Sequence, residues 1–273
     1  MARRRKKPRI VVDKSALRAC SVVDLATLSK GHRLLLPYGL LYEVWTQDQS
    51  GPGNWQRLLL KLKGLDFSAC RYPFRIFEEE MKRCVPFTRI TSSLHTLDLK
   101  RGLETPVSEW PTQDSLISVR QRESDSASLV EHRRKRLRAL NTTRVQDALR
   151  KVSLLAAEQG WTIARAFWTA MRDVAVESWH QYYNLLPKLA TPKSFMFMEV
   201  WLSNYQDFRR SLDQGAEINA VSDKVLFNEA LDREYVLLLV RADGLLSKDK
   251  QMRETAEAFF PGRSVMGEVV PAG

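Results

Sequence analysis

A parallel α/β sheet layered with helices, assembled from both ends of the chain, is what this sequence predicts, on three observations. Short apolar runs alternate with segments of helical period over residues 8–65. The same mixture returns after residue 221, and the stretch between the two is first polar and then long and helical.

The elements follow in order. "RIVV", residues 9–12, is a β-branched run of the kind that fills a strand buried on both faces, and Asp13 ends it. "SVVDLATLSKG" has the length and ending of a short helix closed at Gly31. "HRLLLP" is a second apolar strand, and Pro37 can open the helix "PYGLLYEVWTQ" at its first position. "SGPGN" is a loop, after which "WQRLLLKLKGL" resumes helical spacing. Residues 105–128, rich in Ser, Pro and charge, read as an irregular polar loop. From residue 129 to about 213 the pattern is helical, and Trp161, Trp168, Trp179 and Trp201 are expected to build its core. The C-terminal part then reads as helix, strand, turn, helix and a short last strand, with Asp243 as a turn residue. The division expected is a basic arm at 1–9, a first core part at 10–70, a mainly helical insertion at 71–221 and a second core part at 222–273.

Composition bounds the function. The 273 residues carry a formal net charge of +11, and six of the cations lie in "MARRRKKPR". Such an arm suits the backbone of a nucleic acid, although a solvated tail has the same composition. Arg3, Arg4, Arg5, Lys6 and Lys7 are therefore candidate phosphate contacts, as are Arg133, Arg134, Lys135, Arg136 and Arg138 around the helix "EHRRKRLRAL". Three cysteines without close spacing do not read as a disulfide framework and point to a reducing compartment, so a cytoplasmic location is expected. No apolar stretch approaches a membrane span, and no membrane partner is expected. The four histidines show no metal-ligand spacing, no nucleophilic triad is legible, and the glycines make no phosphate loop.

The chemistry-bearing residues are acids. Asp13 sits at the tip of the first strand, Glu43 on the helix after the second, and Asp232 in "NEALDREY". Asp249 follows "GLLSKD", just past another apolar run. In open α/β sheets functional groups gather beyond the carboxyl ends of the strands. Carboxylates converging there repel one another unless a cation neutralises them, and Mg²⁺ or Mn²⁺ is the economical counter-charge. Taken singly, each acid has a plainer role: Asp13 as a turn or cap residue, Glu43 as a surface acid, and Asp249 as the N-cap of the last helix.

"VVDKSAL", "LLLPYGLLYEVW" and "NEALDREYVLLLVRADGLLSKDKQM" together resemble the PIN domain, a family of metal-dependent nucleases. The likeness covers roughly residues 8–65 and 222–266. Its pattern is an Asp ending strand one with Ser two residues on, a Glu on the helix after strand two, a late helical Asp, and a Ser-x-Asp after strand four. Asp13 with Ser15, Glu43, Asp232, and Ser247 with Asp249 match in order. The resemblance implies a three-layer, PIN-like parallel sheet interrupted by a large helical insertion. It implies that Asp13, Glu43, Asp232 and Asp249 hold Mg²⁺ or Mn²⁺, with Glu229 as an auxiliary ligand. Ser15 and Ser247 would hold water or orient a carboxylate, capping being the alternative. The activity implied is endonuclease cleavage of nucleic acid, RNA favoured over DNA, including roles as a toxin or phage-defence effector. A non-catalytic nucleic-acid-binding or assembly module is the other reading, its insertion docking a protein partner or inhibitor. A HAD-type phosphatase needs a second acid at position 15, which Ser15 occupies.

Overall fold

The computed structural model describes residues 7–40, 54–104, 130–131, 133–135, 137, 143–182, 187–214 and 221–269. The strands are β1 (Arg9–Val12), β2 (Arg33–Leu36), β3 (Phe67–Ala69), β4 (Gly244–Leu246) and β5 (Ser264–Met266). They form one sheet in the order β3-β2-β1-β4-β5, with every pairing parallel. The sheet is thus built from both ends of the chain, as the sequence predicts.

The helices of the first half are α1 (Lys14–Ala19), α2 (Val22–Gly31), α3 (Asn54–Leu60), α4 (Pro73–Arg83) and α5 (Ser93–Glu104). Residues 38–40 begin the helix that Pro37 opens. The second half contributes α6 (Thr143–Gln159), α7 (Ile163–Tyr182), α8 (Phe195–Gln214), α9 (Asp223–Leu237) and α10 (Lys250–Phe259). Helix α9 runs on into a 3₁₀ turn at Leu238–Val240, so the "VLLLV" segment is helical and the strand is the shorter Gly244–Leu246. Because the strand order reverses after β3, right-handed crossovers put α1, α2 and α3 on one face of the sheet and α10 on the other.

Why these residues form these elements is visible in their burial. Ile10, Val11, Val12, Leu34, Leu35, Leu36, Leu245 and Leu246 are all buried, which is why the three central strands read as unbroken apolar runs. At Gly244 an added Cβ would meet the Ser264 carbonyl and the Ile10 side chain, so only Gly lets β4 lie between β1 and β5. Ser21 caps α2 with a full capping box to Asp24.

The insertion shares the sheet's core. Helix α7 packs on α10, and α8 packs on α9 and α4. Phe167, Trp168, Tyr205 and Phe259 meet at ring-centroid distances of 4.8–6.4 Å. Trp168, Trp179 and Trp201 are buried in this cluster and Trp161 packs at its edge. Glu80 ties the same layers together. Fully buried on α4, it accepts hydrogen bonds from the Ser194 hydroxyl and from the backbone N–H groups of Phe87, Phe195 and Met196, at 2.9–3.0 Å. Among the described residues no helix is long and apolar enough to cross a membrane. The polar loop expected at 105–128 lies outside the described residues.

Candidate functional site at the carboxyl edge of the sheet

Strand order decides where a site can form. From β1 the chain moves outward to β2 and β3, then returns to the other side of β1 for β4 and β5. The switch point therefore lies between β1 and β4, and the crevice beyond their carboxyl ends is where open α/β sheets bind ligands. Val12 pairs with Leu246 at that end. The next residues on the two strands are Asp13 and Ser247.

These two side chains are in contact. The Ser247 hydroxyl donates to Asp13 Oδ2 at 2.5 Å, the Ser15 hydroxyl lies 2.8 and 2.9 Å from the two carboxylate oxygens, and the Ala16 N–H donates to Oδ1 at 2.6 Å. Asp13 is 2% exposed. Three protons thus reach a group with about four lone-pair positions, which fixes its plane and leaves about one position over. Both serines are also acceptors: Ser15 Oγ takes the Lys248 N–H at 2.9 Å, and Ser247 Oγ takes the Asp249 N–H at 3.0 Å. The β1 and β4 loops are thereby stitched together.

Burial pushes the Asp13 carboxyl above its ordinary range, against the pull of these hydrogen bonds, and the negative charge of Asp249 pushes the same way. Asp249 is exposed and accepts the Met252 N–H at 2.7 Å as the N-cap of α10. Asp13 caps α1 in the same manner. Each acid therefore combines a capping role with a place at the sheet's edge.

Asp232 borders a neighbouring cavity. With Asp249 it lines this space of about 190 Å³ between α8, α9 and α10, whose walls include Gln206, Arg209, Arg210 and Arg233. Asp249 is the link, close enough to Asp13 to raise its pKa and sharing a cavity with Asp232. Glu43 lies outside the described residues. The turn that leads to it is anchored: the Gly39 N–H donates to buried Glu234 at 2.9 Å, and a Cβ at position 39 would sit 2.9 Å from that carboxylate. Glu234 is an acid that no sequence pattern singles out. It is two residues from Asp232, hence about 200° around the helix, and faces Gly39 instead of the cavity.

Among the described residues no group of three or more His, Cys, Asp or Glu side chains stands ready to hold a metal ion. Asp13 and Asp249 remain a suitable pair for a hard cation: two carboxylates at the edge of the sheet, one of them raised in pKa by its burial and, in smaller part, by the charge of the other. Glu43 and Asp232 are the residues that would complete such a set.

Two expectations need correction. Glu229 is not a spare ligand, because its carboxylate is paired with Arg133 at 2.6 Å and with Arg210. Arg133 is not a phosphate contact, because it is 3% exposed and bound to fully buried Asp207 at 2.8 Å and to the Leu226 carbonyl at 3.0 Å. An arginine desolvated among carboxylates has no face left for a phosphate. Arg134 pairs with Asp223 and the Val221 carbonyl. Lys135 is exposed beside Glu131. Lys7 folds back onto the Ser29 carbonyl and Asp66. Arg3, Arg4, Arg5, Lys6, Arg136 and Arg138 lie outside the described residues.

Compared with known proteins, the chain matches no family model, no curated protein and no solved structure.

Proposed function

We propose that this protein is a PIN-type, divalent-metal-dependent endonuclease, with RNA the favoured substrate over DNA. The observation that carries the reading is the Asp13–Ser247 contact at the switch point of a parallel sheet, with Asp249 two residues further along the same loop. The order Asp13, Ser15, Asp232, Ser247, Asp249 is the order of the PIN pattern.

Asp13, Glu43, Asp232 and Asp249 would hold Mg²⁺ or Mn²⁺. When bound, such an ion activates water and offsets the charge that builds on the transferring phosphorus and the leaving oxygen. The chain's own contribution is to place the acids. Ser15 and Ser247 hold the Asp13 carboxylate in one orientation, and the short β4–α10 turn holds Asp249 beside it. No side chain need act as nucleophile. Exposed cations at the same edge, Lys248 and Lys250, favour an anionic substrate.

One observation favours a second reading. Asp13 and Asp249 both cap helices, and capping alone would retain them in a non-catalytic nucleic-acid-binding or assembly module. Incubation with labelled RNA and with single- and double-stranded DNA, in Mn²⁺, Mg²⁺ or EDTA, separates the two. Metal-dependent cleavage of RNA is expected. Binding without cleavage under every metal condition selects the second reading.

A further inference from the structure

The carboxyl edge of the sheet carries a second feature beside the acids. Beyond β2 comes Tyr38, and beyond β3 come Tyr72 and, in the first turn of α4, Phe74. Leu36 and Ala69 are paired in register, so Tyr38 and Tyr72 emerge side by side. The Tyr38 and Tyr72 rings lie 5.0 Å apart, the Tyr72 and Phe74 rings lie 6.3 Å apart and only 21° from parallel, and Phe77 closes the row at 6.4 Å. Phe74 is 61% exposed. Its backbone is held by Pro73 at the start of the helix, which fixes where the ring projects.

Phe77 packs against the core, but Phe74 beside it is exposed and adds little there. Its position suggests a different use. Neighbouring strands are about 4.8 Å apart, so the β3 end stands about 10 Å from the β1 end and its acid. Cations flank the edge: Lys14 after β1, Arg71 and Arg75 after β3, Lys248 and Lys250 after β4. Arg75, Lys248 and Lys250 are held in solvent-facing ion pairs, with Glu78, Glu268 and Glu254, which a phosphate can replace at little cost. Stacked rings beside a positively charged track are the means by which proteins hold unpaired bases, since every base offers a π-face.

We infer that the Tyr38–Tyr72–Phe74 ledge is a base-stacking subsite that seats single-stranded nucleic acid about 10 Å from Asp13, across β2. The inference rests on the nucleic-acid reading above and adds that the strand must be unpaired where it meets the ledge. Duplex bases have their faces covered by one another and cannot stack there.

The test is binding, measured in EDTA by fluorescence anisotropy with labelled oligo(U), an abasic oligomer of the same length and a duplex. The wild-type chain is compared with Phe74→Ala and Phe74→Trp. Phe74→Ala is expected to weaken oligo(U) binding about tenfold, the loss of one stacked base. Phe74→Trp should bind as the wild type does, and the abasic oligomer should bind both wild type and Phe74→Ala with one weak affinity. Because Phe74 is exposed, its replacement leaves the fold intact, which matching thermal melts verify. Unchanged oligo(U) affinity in Phe74→Ala overturns the ledge while metal-dependent cleavage still stands on its own assay. An equal loss for the abasic oligomer overturns it as well, since no base is then involved. Loss of self-association in Phe74→Ala with unaltered oligo(U) binding identifies the ledge as a contact between copies and overturns the proposal. A wild-type chain that binds none of the three probes in EDTA overturns the ledge, and the nuclease reading is then decided by the metal-dependent cleavage assay alone.

Discussion

Ser247 and Asp13 lie 234 residues apart in sequence and are joined by a 2.5 Å hydrogen bond from the hydroxyl to the carboxylate. The bond links the first strand of the chain to the fourth and fixes the orientation of a buried acid. Ser247→Ala removes a proton that reaches Asp13 where water cannot replace it. Leaving a buried acceptor short of a donor costs about 1–3 kcal/mol. Urea unfolding of Ser247→Ala should show that loss in the midpoint, with an unchanged slope. Ser15→Ala should cost a similar amount and also free the Lys248 N–H.

The Arg133 network makes an opposite claim about a residue that looks like surface. Removing one partner of a buried ion pair leaves the other charge stranded, at a cost of about 3–5 kcal/mol. Arg133→Ala should therefore be among the most destabilising substitutions in the chain, because it takes a cation from fully buried Asp207 and leaves Glu229 with Arg210 alone of its two ion-pair partners. Lys135→Ala, two residues away and exposed, should move stability by no more than about 0.5 kcal/mol. Equal, small effects from the two substitutions in denaturant melts would refute the burial of Arg133.

What was legible in the sequence follows from burial. β1, β2 and β4 are covered on both faces, so Ile10–Val12, Leu34–Leu36 and Leu245–Leu246 appear as unbroken apolar runs. The three residues of β3 have an intermediate Ser68 at their centre and give too short a signal to read. The carboxyl-edge acids were legible because a strand-end position depends only on local pattern. The fates of Glu229, Arg133 and Glu80 were not. Glu78, Glu79 and Glu80 are identical letters in a row, and only the arrival of α8, more than 100 residues later, makes Glu80 the buried one. In "EHRRKRLRAL" the partner that turns Arg133 inward is Asp207, 74 residues away. Charge counts report composition, whereas ion pairing is set by the tertiary fold.

The N-terminal arm is expected to add affinity without chemistry. Deleting residues 1–6 removes Arg3, Arg4, Arg5 and Lys6 and leaves Lys7, which is held by Asp66 and the Ser29 carbonyl. For every phosphate that the shortened chain no longer neutralises, the log–log salt dependence of binding should flatten by about 0.7 for single strands or about 0.9 for duplex DNA. The measurement is affinity across a salt series. An unchanged slope would return the arm to the status of a solvated tail.

Asp13 offers the sharpest prediction because the two readings of it differ in their response to metal. Its folded-state pKa is raised by burial, with Asp249 adding to the effect. A raised carboxylate pKa means that the folded state prefers the protonated form. The contribution of Asp13 to stability is then full below its unfolded-state pKa and is lost as pH rises through the folded value. Asp13→Asn cannot ionise and should escape this loss. In EDTA its stability relative to wild type should rise across that window and level off above it, which urea midpoints at a series of pH values would show. A purely structural cap gives the same pH trend, because the trend comes from burial and Asn caps a helix about as well as Asp, so the deciding readout is metal. Mn²⁺ at about 100 times its dissociation constant should stabilise the wild type by about 2.7 kcal/mol and Asp13→Asn by far less. Cleavage by Asp13→Asn should fall by orders of magnitude, since placing the ion and activating water both depend on that charge. A variant that responds to Mn²⁺ as the wild type does and cleaves RNA at the wild-type rate would reduce Asp13 to the N-cap of α1.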